Sequence, residues 1–338
     1  MKQIEEIFTE LDSGVKTIAI TTHQKPDGDA MGSSLALYHF LTTLGHHVQV
    51  ISPTNWAYYF DWMPGVEKVW NYEKSKEISE EFLKTADLLF CLDFNAASRV
   101  KNMEASISTF EGVKVLIDHH QQPEIAFFDY GYSVPEKSST CEMIFDFIEM
   151  YNKVNMIDQS IAECIYTGMV TDTGSFKYSS TTSRVHDIAS YLLQKDINHI
   201  RIHNNLFDNN NENRLRFLGH ILSNRMEFFY EYNAALIRVS KDDLVKYEIK
   251  TGETEGLVNY PLSISGIKLA ALVIDRDEER KWSFRSKSDF DCSTFARNHF
   301  NGGGHFNAAG GNDKNTLSDT IKKFKEVVPQ YKDQLMEK

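Results

Sequence analysis

Short runs of apolar and β-branched residues alternate, over the first 200 residues, with longer segments in which apolar residues recur every three or four positions. The short runs predict strands and the longer segments predict helices. Strands are predicted at 15–21, 47–51, 88–92 and 113–117, and helices at 30–44, 79–85 and 138–151, with Ser138 or Ser139 capping the last helix. Because strands that alternate with helices form parallel sheets, this part predicts an α/β domain with helices on both faces of its sheet.

The pattern changes in the C-terminal part. Residues 157–224 are mostly helical in pattern, with a polar, Asn-rich break near the end. Segments 225–239 and 266–284 alternate apolar and polar residues as an antiparallel sheet does, with a turn at 275–281, and 316–338 predicts a closing amphipathic helix. We expect a parallel-sheet domain at 1–202, a hinge or linker at 203–214, and a smaller α/β domain with a mostly antiparallel sheet at 215–338.

Composition narrows the class of protein. The chain has 338 residues, of which 41% are hydrophobic and 25% charged, as is ordinary for a globular protein of about two domains. The formal net charge of -12 argues against long nucleic acid bound along a broad basic groove, although it permits a small phosphorylated substrate in a local basic pocket.

The N-terminus and the cysteines indicate a compartment. Residues 1–6 predict the start of an acidic amphipathic helix rather than a signal peptide, and apolar runs stay short of the ~20 residues that span a bilayer. The four cysteines are scattered without a CxxC pair, which favours buried free thiols in a reducing compartment. We therefore expect a cytoplasmic protein with no membrane association.

Acidic and histidine residues cluster where the predicted strands and helices end. Five carboxylates and three imidazoles lie at such positions: His23, Asp27 and Asp29 after the first strand, Asp93 after the third, Asp118, His119 and His120 after the fourth, and Asp172 after the apolar segment 161–170. Ligands of open parallel sheets bind beyond the carboxyl ends of the strands, so we expect these side chains to converge there. Carboxylate oxygens mixed with imidazole suit Mn²⁺ or Mg²⁺, and so many acids need cations to neutralise them. The sequence therefore predicts a two-metal hydrolase, with phosphate esters as the favoured substrates.

Taken one at a time, these positions differ in how strongly they indicate a metal ligand. Asp29 lies next to a predicted helix start, so it suits an N-cap carboxylate about as well as a metal ligand. A single acid after a strand, such as Asp93, is more often a turn residue. Asp118 suits a residue that orients an imidazole. An acid at a helix C-terminus is unfavourable without a cation, which favours a metal near Asp172.

The C-terminal domain carries a second candidate cluster. The stretch Gly302-Gly303-Gly304-His305 predicts a loop whose backbone N–H groups can approach an anion. Arg285 and Ser286, at the end of a predicted strand, offer a phosphate contact. A glycine run is usually only a loop, and without it Arg285 would be taken for half of a surface salt bridge.

Taken in order, these residues resemble a known family. The succession His-x-x-x-Asp-x-Asp at 23–29, Asp93, Asp-His-His at 118–120 and Asp172 resembles the DHH phosphoesterase superfamily. Arg285-Ser286 and the Gly-Gly-Gly-His-x-x-Ala-Ala-Gly stretch at 302–310 resemble the DHHA1 domain of one branch, so the likeness covers nearly the whole chain. Length and layout are similar to NrnA-type enzymes, which are bifunctional oligoribonucleases (nanoRNases) and 3′-phosphoadenosine-5′-phosphate (pAp) phosphatases.

The resemblance implies a role for each residue. His23, Asp27 and Asp93 would bind one divalent metal ion, and Asp29, Asp93, His119 and Asp172 a second, with Asp93 bridging. His120 would contact the scissile phosphate with support from Asp118, and Arg285, Ser286, Gly303, Gly304 and His305 would bind the substrate. The ions, Mn²⁺ ahead of Mg²⁺, would activate a water for attack on phosphorus. The expected substrates are short RNA oligonucleotides, chiefly dinucleotides, cleaved to mononucleotides, and pAp, cleaved to AMP.

Several alternatives share these motifs. They are a cyclic-dinucleotide phosphodiesterase, an inorganic pyrophosphatase of family II, and a RecJ-like exonuclease, which is usually longer. A non-catalytic nucleotide-binding protein would be expected to lack some of the eight acid and histidine positions, all of which are present. The oligomeric state is also open, because apolar residues on the helix after Asn210 fit a homodimer contact or the hinge equally well.

Overall fold

The computed structural model describes residues 1–276 and 279–337, and the chain divides into two compact units, Met1–Asn209 and Asn210–Lys338. The first unit is built on a seven-stranded sheet. Its strands are β1 (Lys2–Gln3), β2 (Thr17–Thr22), β3 (His47–Ser52), β4 (Trp70–Asn71), β5 (Leu88–Leu92), β6 (Val113–Asp118) and β7 (Tyr130–Ser133). They pair in the order β1-β7-β6-β5-β2-β3-β4, and every pair is parallel, as predicted.

Helices cover both faces of this sheet, which confirms the predicted α/β class. They are α1 (Ile7–Asp12), α2 (Gly28–Thr43), α3 (Lys76–Thr85), α4 (Glu104–Ser108), α5 (Thr140–Met150), α6 (Gln159–Asp172), α7 (Ser183–Leu193) and α8 (His199–Phe207). Along β5, Phe90 belongs to the core on one face, and Leu89 and Cys91 belong to the core on the other. A strand that is buried on both faces needs a continuous apolar sequence, and β5 reads Leu-Leu-Phe-Cys-Leu.

The N-terminal residues differ from the prediction. Lys2 and Gln3 form strand β1 beside β7, and a 3₁₀ turn at Ile4–Glu6 precedes α1. The periodicity of the sequence indicates an amphipathic segment here, and Ile4 and Ile7 are indeed buried. Pairing with β7 nevertheless holds the first residues in an extended conformation, since tertiary contacts override local preference at short segments.

The second unit contains a six-stranded sheet. Its strands are β8 (Met226–Phe229), β9 (Ala234–Val239), β10 (Leu269–Asp275), β11 (Arg280–Ser286), β12 (Gly303–His305) and β13 (Ala308–Asp313), in the order β12-β13-β11-β10-β9-β8. Neighbouring strands are antiparallel except β9 and β10, which are parallel, so the predicted mostly antiparallel sheet is confirmed. The turn predicted at 275–281 falls between β10 and β11, and its residues 277 and 278 lie outside the described residues.

The helices of the second unit pack on both sides of its sheet. They are α9 (Glu212–Asn224), α10 (Lys241–Lys246), α11 (Cys292–His299), α12 (Leu317–Val327) and α13 (Lys332–Met336). The single closing helix predicted at 316–338 is wrong: a 3₁₀ turn at Val328–Tyr331 divides it, because Pro329 has no N–H group to continue the helix. The expected linker at 203–214 includes the end of α8 and the start of α9.

Two further features concern the length of the helices and the state of the cysteines. Within 1–276 and 279–337, the helices are too short or too polar for any of them to cross a membrane. Cys91, Cys141, Cys164 and Cys292 are buried and free, as their scattered positions predict.

Helices α2 and α6 approach each other closely through glycine. A Cβ atom on Gly32 of α2 would lie 2.6 Å from the carbonyl oxygen of Cys164 in α6. A Cβ atom on Gly168 of α6 would lie 2.8 Å from Oδ1 of Asp29 and 3.0 Å from its Cα. The distances to the Cys164 oxygen and to Oδ1 of Asp29 are shorter than real Cβ contacts, so this packing requires glycine. It sets the separation between the start of α2 and the end of α6, which carries Asp172.

Gly32→Ala is expected to lower the free energy of unfolding by about 1–3 kcal/mol, because an added methyl group in a packed contact displaces backbone. Gly219→Ala is the matched control: Gly219 is also helical, in α9, but nothing lies within 4 Å of its Cβ position. There alanine is expected to stabilise the helix by up to about 1 kcal/mol. Urea unfolding followed by circular dichroism measures both variants, and an equal response would contradict the close contact of α2 with α6.

Candidate metal centre

The carboxyl edge of the parallel sheet gathers the acids and histidines that the sequence singles out in the first unit. His23 follows the end of β2, Asp93 follows β5, and Asp118 is the last residue of β6. Asp27 and Asp29 lie at the start of α2, and Asp172 is the last residue of α6. The edge of an open sheet at which parallel strands end is where such folds place their ligands.

Asp93 lies at the centre of this group. Its Oδ2 atom is 3.5 Å from Nε2 of His23, and its Oδ1 atom is 3.4 Å from Nε2 of His119 and 3.7 Å from Nδ1 of His120. Asp93 is only 2% exposed, unlike an ordinary surface turn residue. Its φ of 63° lies in the left-handed region, which is uncommon for residues other than glycine and is frequent at functional sites.

A first set of ligand atoms comes from His23, Asp27 and Asp93. They lie within 4.8 Å of one another, and Nε2 of His23 is 3.8 Å from Oδ2 of Asp27. Nδ1 of His23 lies 2.9 Å from the carbonyl oxygen of Gln24, a contact that directs Nε2 towards the acids when Nδ1 carries the proton. Asp27 caps α2: its Oδ1 accepts hydrogen bonds from two backbone N–H groups, at 3.1 Å each.

A second set consists of Asp29, Asp93 and His119, again within 4.8 Å of one another. Nε2 of His119 is 3.7 Å from Oδ2 of Asp29 and 3.4 Å from Oδ2 of Asp172. The alternative interpretation of Asp29 as an N-cap is wrong, because Asp27 caps α2 and Asp29 lies within its first turn. The Asp29 carboxylate is fully buried and is directed towards the start of α5.

Asp118 and His120 form a pair beside these sets. Nδ1 of His120 donates to Oδ1 of Asp118 at 2.7 Å. Asp118 is fully buried, and its Oδ2 atom has no hydrogen-bond partner within the described part of the chain. This arrangement is typical of a carboxylate that orients an imidazole. A ligand atom from each of Asp93, Asp118 and His120 also fits within 4.8 Å, so direct binding of a cation by Asp118 is the competing arrangement.

The acids and histidines of this site shift one another's pKa in different directions. Burial, together with the nearby charge of Asp93, raises the pKa of Asp29 to about 7. Burial and the charge of Asp29 raise the pKa of Asp172 well above its usual range. Burial opposes the ionisation of Asp93, but hydrogen bonds from His119 and His23 outweigh it and hold its pKa well below the usual range. Burial lowers the pKa of His119, and its contacts with Asp93 and Asp172 outweigh that effect and raise it.

These properties fit divalent cations. Crowded, buried carboxylates favour a positive ion because it stabilises their ionised forms. The donor atoms are carboxylate oxygens and imidazole nitrogens, a set that suits Mn²⁺ and Mg²⁺. The buried Oδ2 of Asp118, without a partner among the described residues, adds an acceptor at the same place.

The contacts made at the start of α5 could not be predicted from the sequence. Ser139 caps α5, as the capping pattern predicts, by accepting a hydrogen bond from the N–H of Glu142. The next residue, Thr140, in addition donates from its backbone N–H to Asp29 and from its hydroxyl to Asp93. A capping pattern such as Ser-Ser-Thr indicates where a helix begins, but it does not indicate which distant side chains the free N–H groups of that helix will bind.

The glycine run of the second unit is a strand rather than the predicted loop. Gly303–His305 form β12 and pair with β13, so their backbone groups are partly engaged in the sheet. A Cβ atom on Gly304 would lie 2.6 Å from the carbonyl oxygen of Ala308, whereas nothing lies within 4 Å of the Cβ position of Gly303. Close pairing with β13 therefore requires Gly304, while Gly303 borders open space.

The other predicted substrate-binding residues lie on β11 and β12. Arg285 and His305 both pair with Ala308 of β13, one from each side, so the three side chains lie on one face of the sheet. Ser286 follows Arg285 and therefore projects to the opposite face. Its hydroxyl donates to the carbonyl of Phe290 and accepts a hydrogen bond from Asn307, at 2.6 and 2.8 Å. The structure thus brings Arg285 and His305 to one face and leaves Ser286 on the other.

Comparisons with known proteins agree with this description. The family model "DHH family, N-terminal domain" matches residues 17–169, and the model "DHHA1 domain" matches residues 233–333. A relative from Thermus thermophilus, named bifunctional oligoribonuclease and PAP phosphatase NrnA, is 28% identical over 312 residues, which cover 92% of this chain and 87% of that protein.

Solved structures show the same fold. An exopolyphosphatase-related protein from Bacteroides fragilis is 39% identical, with a TM-score of 0.92 and a match over 99% of this chain and 98% of that chain. RecJ from Thermus thermophilus, solved in complex with Mn²⁺, is 12% identical, with a TM-score of 0.57 over 98% of this chain and 55% of that chain, a likeness of fold alone.

Proposed function

The chain belongs to the DHH phosphoesterase superfamily as a hydrolase of phosphoric esters, and we propose that it cleaves short oligoribonucleotides to mononucleotides and pAp to AMP. The observation that carries the proposal is the position of Asp93. It belongs to all three ligand sets of the first unit, which are completed by His23 and Asp27, by Asp29 and His119, and by Asp118 and His120. The name of the Thermus thermophilus relative, which matches 92% of this chain, supports the choice of substrates. The net charge of -12 supports short substrates over long nucleic acid.

We propose that two divalent ions, most favourably Mn²⁺, bind at this site. His23, Asp27 and Asp93 would hold one ion, and Asp29, Asp93, His119 and Asp172 the other, with Asp93 shared. When bound, such ions lower the pKa of water and stabilise negative charge on a phosphoryl group. The separate sets around His23 and around His119, joined through Asp93, support this assignment.

The side chains of the protein contribute orientation and hydrogen bonding. We propose that Asp118 holds the Nδ1–H of His120, so that Nε2 of the ring is directed to the scissile phosphate. A donor fixed in this way stabilises the charge that develops on phosphoryl oxygens, because it needs no reorganisation during the reaction. Arg285, Ser286, Gly303, Gly304 and His305 are the proposed substrate-binding residues of the second unit, and the shared face of Arg285 and His305 supports those two most directly.

A substrate panel tests the proposed function. The purified protein is assayed with Mn²⁺ on a 5′-phosphorylated diribonucleotide, pAp, a cyclic dinucleotide and pyrophosphate, and product release is followed by chromatography. Turnover of the first two substrates, abolished by chelation and restored by Mn²⁺, is the expected result. Preferred turnover of the cyclic dinucleotide or of pyrophosphate would overturn the substrate assignment and leave the metal site in place.

Arg285→Ala is expected to raise the KM for the diribonucleotide by about tenfold to a hundredfold, as loss of a charge-assisted hydrogen bond of about 1.5–3 kcal/mol does. The affinity for Mn²⁺ should stay unchanged, because the proposed ligands all belong to the first unit. Arg238→Ala is the control, since Arg238 lies on β9 of the same sheet and contacts Glu227 at 3.5 Å. A KM that Arg285→Ala leaves at the wild-type value would remove Arg285 from the substrate site.

A further inference from the structure

The turn before α5 and the first two residues of that helix contact three of the proposed metal-binding residues without adding a ligand of their own. The carbonyl oxygen of Lys137 lies 3.1 Å from Nδ1 of His119. The backbone N–H of Thr140 donates to Oδ2 of Asp29 at 2.6 Å, and the next N–H along the chain donates to Oδ1 at 2.8 Å. The hydroxyl of Thr140 donates to Oδ1 of Asp93 at 3.0 Å. One short segment of chain therefore holds an acid from each of two elements and an imidazole from a third.

Thr140 joins the two acids. It is fully buried, so water does not compete for its two donor groups. Its N–H lies in the first turn of α5, where backbone N–H groups have no partner within the helix. The helix dipole also favours the negative charge of Asp29 at this position. Its hydroxyl reaches the oxygen of Asp93 that faces Nε2 of His119 at 3.4 Å. Oδ1 of Asp93 is thus held both by the hydroxyl of Thr140 and by the imidazole of His119.

The turn itself is anchored to α5. Nζ of Lys137 lies 3.0 Å from Oε1 of Glu142 and 2.6 Å from Oδ2 of Asp146. The other oxygen of Glu142 accepts a hydrogen bond from the backbone N–H of Ser138 at 2.8 Å. These contacts keep the Lys137 carbonyl and the first N–H groups of α5 in a fixed relation to each other. The donors that hold Asp29 and Asp93 are therefore fixed by contacts within the protein.

We propose that Thr140 is a positioning residue, whose hydroxyl holds the shared carboxylate of Asp93 in the orientation that binds metal. This inference rests on the proposed metal-dependent function. Outer hydrogen bonds to ligating groups fix their rotamers, and their loss typically weakens metal binding without removing a ligand. Thr140 is neither a ligand nor a contact of the substrate in this proposal, so its effect should appear first in metal affinity.

Two substitutions at this position separate the hydroxyl from the shape of the side chain. Thr140→Val keeps the shape and removes the hydroxyl, and we expect it to weaken Mn²⁺ binding by about tenfold or more. Thr140→Ser keeps the hydroxyl, and we expect affinity near that of the wild type. Thr167→Val is the matched control, because Thr167 is equally buried in α6 but its hydroxyl donates to the carbonyl of Glu163. Isothermal titration calorimetry of the metal-stripped full chain with Mn²⁺ measures all of them.

The outcomes distinguish this proposal from the proposed function. Mn²⁺ binding by Thr140→Val as tight as that of the wild type would overturn the positioning role, whichever substrates the protein hydrolyses. Equal weakening in Thr140→Ser and Thr140→Val would also overturn it, because the hydroxyl would then not be the cause. A wild-type chain that binds no Mn²⁺ would overturn the proposed function and this inference together. If circular dichroism shows that Thr140→Val does not fold, Thr140→Ala removes the hydroxyl without the added branch and takes its place.

Discussion

Asp93→Asn is expected to reduce kcat by about a thousandfold or more on every substrate, which corresponds to about 4 kcal/mol of lost transition-state stabilisation. Asparagine keeps the size of the side chain but removes the charge on which three imidazoles converge at 3.4–3.7 Å. Because Asp93 belongs to both proposed metal sets, its loss should also weaken Mn²⁺ binding as a whole. Turnover with saturating Mn²⁺ and calorimetric titration of Mn²⁺ measure the two effects on one preparation.

Asp87→Asn is the matched control for this experiment. Asp87 immediately precedes β5, at the opposite end of the strand that leads to Asp93, and its Oδ2 accepts a hydrogen bond from the N–H of Thr17 at 2.8 Å. The control therefore makes the same chemical change on the same strand, away from the site, and should leave kcat and Mn²⁺ affinity near the wild-type values. Near-normal turnover by Asp93→Asn would show that Asp93 does not bridge the metal ions.

The residues of the site can be predicted from the sequence more completely than the contacts that hold those residues in place. Asp93 and Asp118 could be placed because each follows a buried strand, and such strands have an unmistakable apolar sequence and end at one edge of a parallel sheet. The role of Asp29 could not be assigned from the sequence alone, since a residue next to a predicted helix start suits an N-cap and a metal ligand about equally. The structure separates the two roles, because Asp27 caps α2 and the first N–H groups of α5 bind Asp29.

In the second unit, pairing between distant segments determines features that the apolar and polar pattern of the sequence does not predict. Gly303–His305 lack the residues that favour strands, and they are extended because β13 pairs with them. The parallel pairing of β9 with β10 joins segments separated along the chain by α10, and the nearly continuous apolar sequence of each strand does not indicate its direction. In both cases the partner, rather than the segment itself, determines the structure.

Asp118→Asn is expected to lower kcat by about a hundredfold or more, in the range of a positioned acid–base or hydrogen-bonding group. Asp118 Oδ1 accepts the Nδ1–H of His120 at 2.7 Å in a fully buried environment. Asparagine weakens this hydrogen bond because it removes the negative charge of the acceptor, and it permits the amide to turn its N–H₂ group towards Nδ1. His120 would then lose its fixed orientation towards the phosphate, while Mn²⁺ affinity should change little.

Asp129→Asn controls for the loss of one carboxylate next to the same strand, because Asp129 accepts a hydrogen bond from the N–H of Lys114 near the start of β6. Measuring Mn²⁺ affinity beside kcat decides between the two roles open to Asp118. A fall in affinity that parallels the fall in kcat would mean that Asp118 binds metal directly, for which its buried Oδ2, unpartnered within the described chain, is suited. A fall in kcat with unchanged Mn²⁺ affinity would mean that Asp118 acts by orienting His120, because that ring is the group to which Asp118 is hydrogen-bonded.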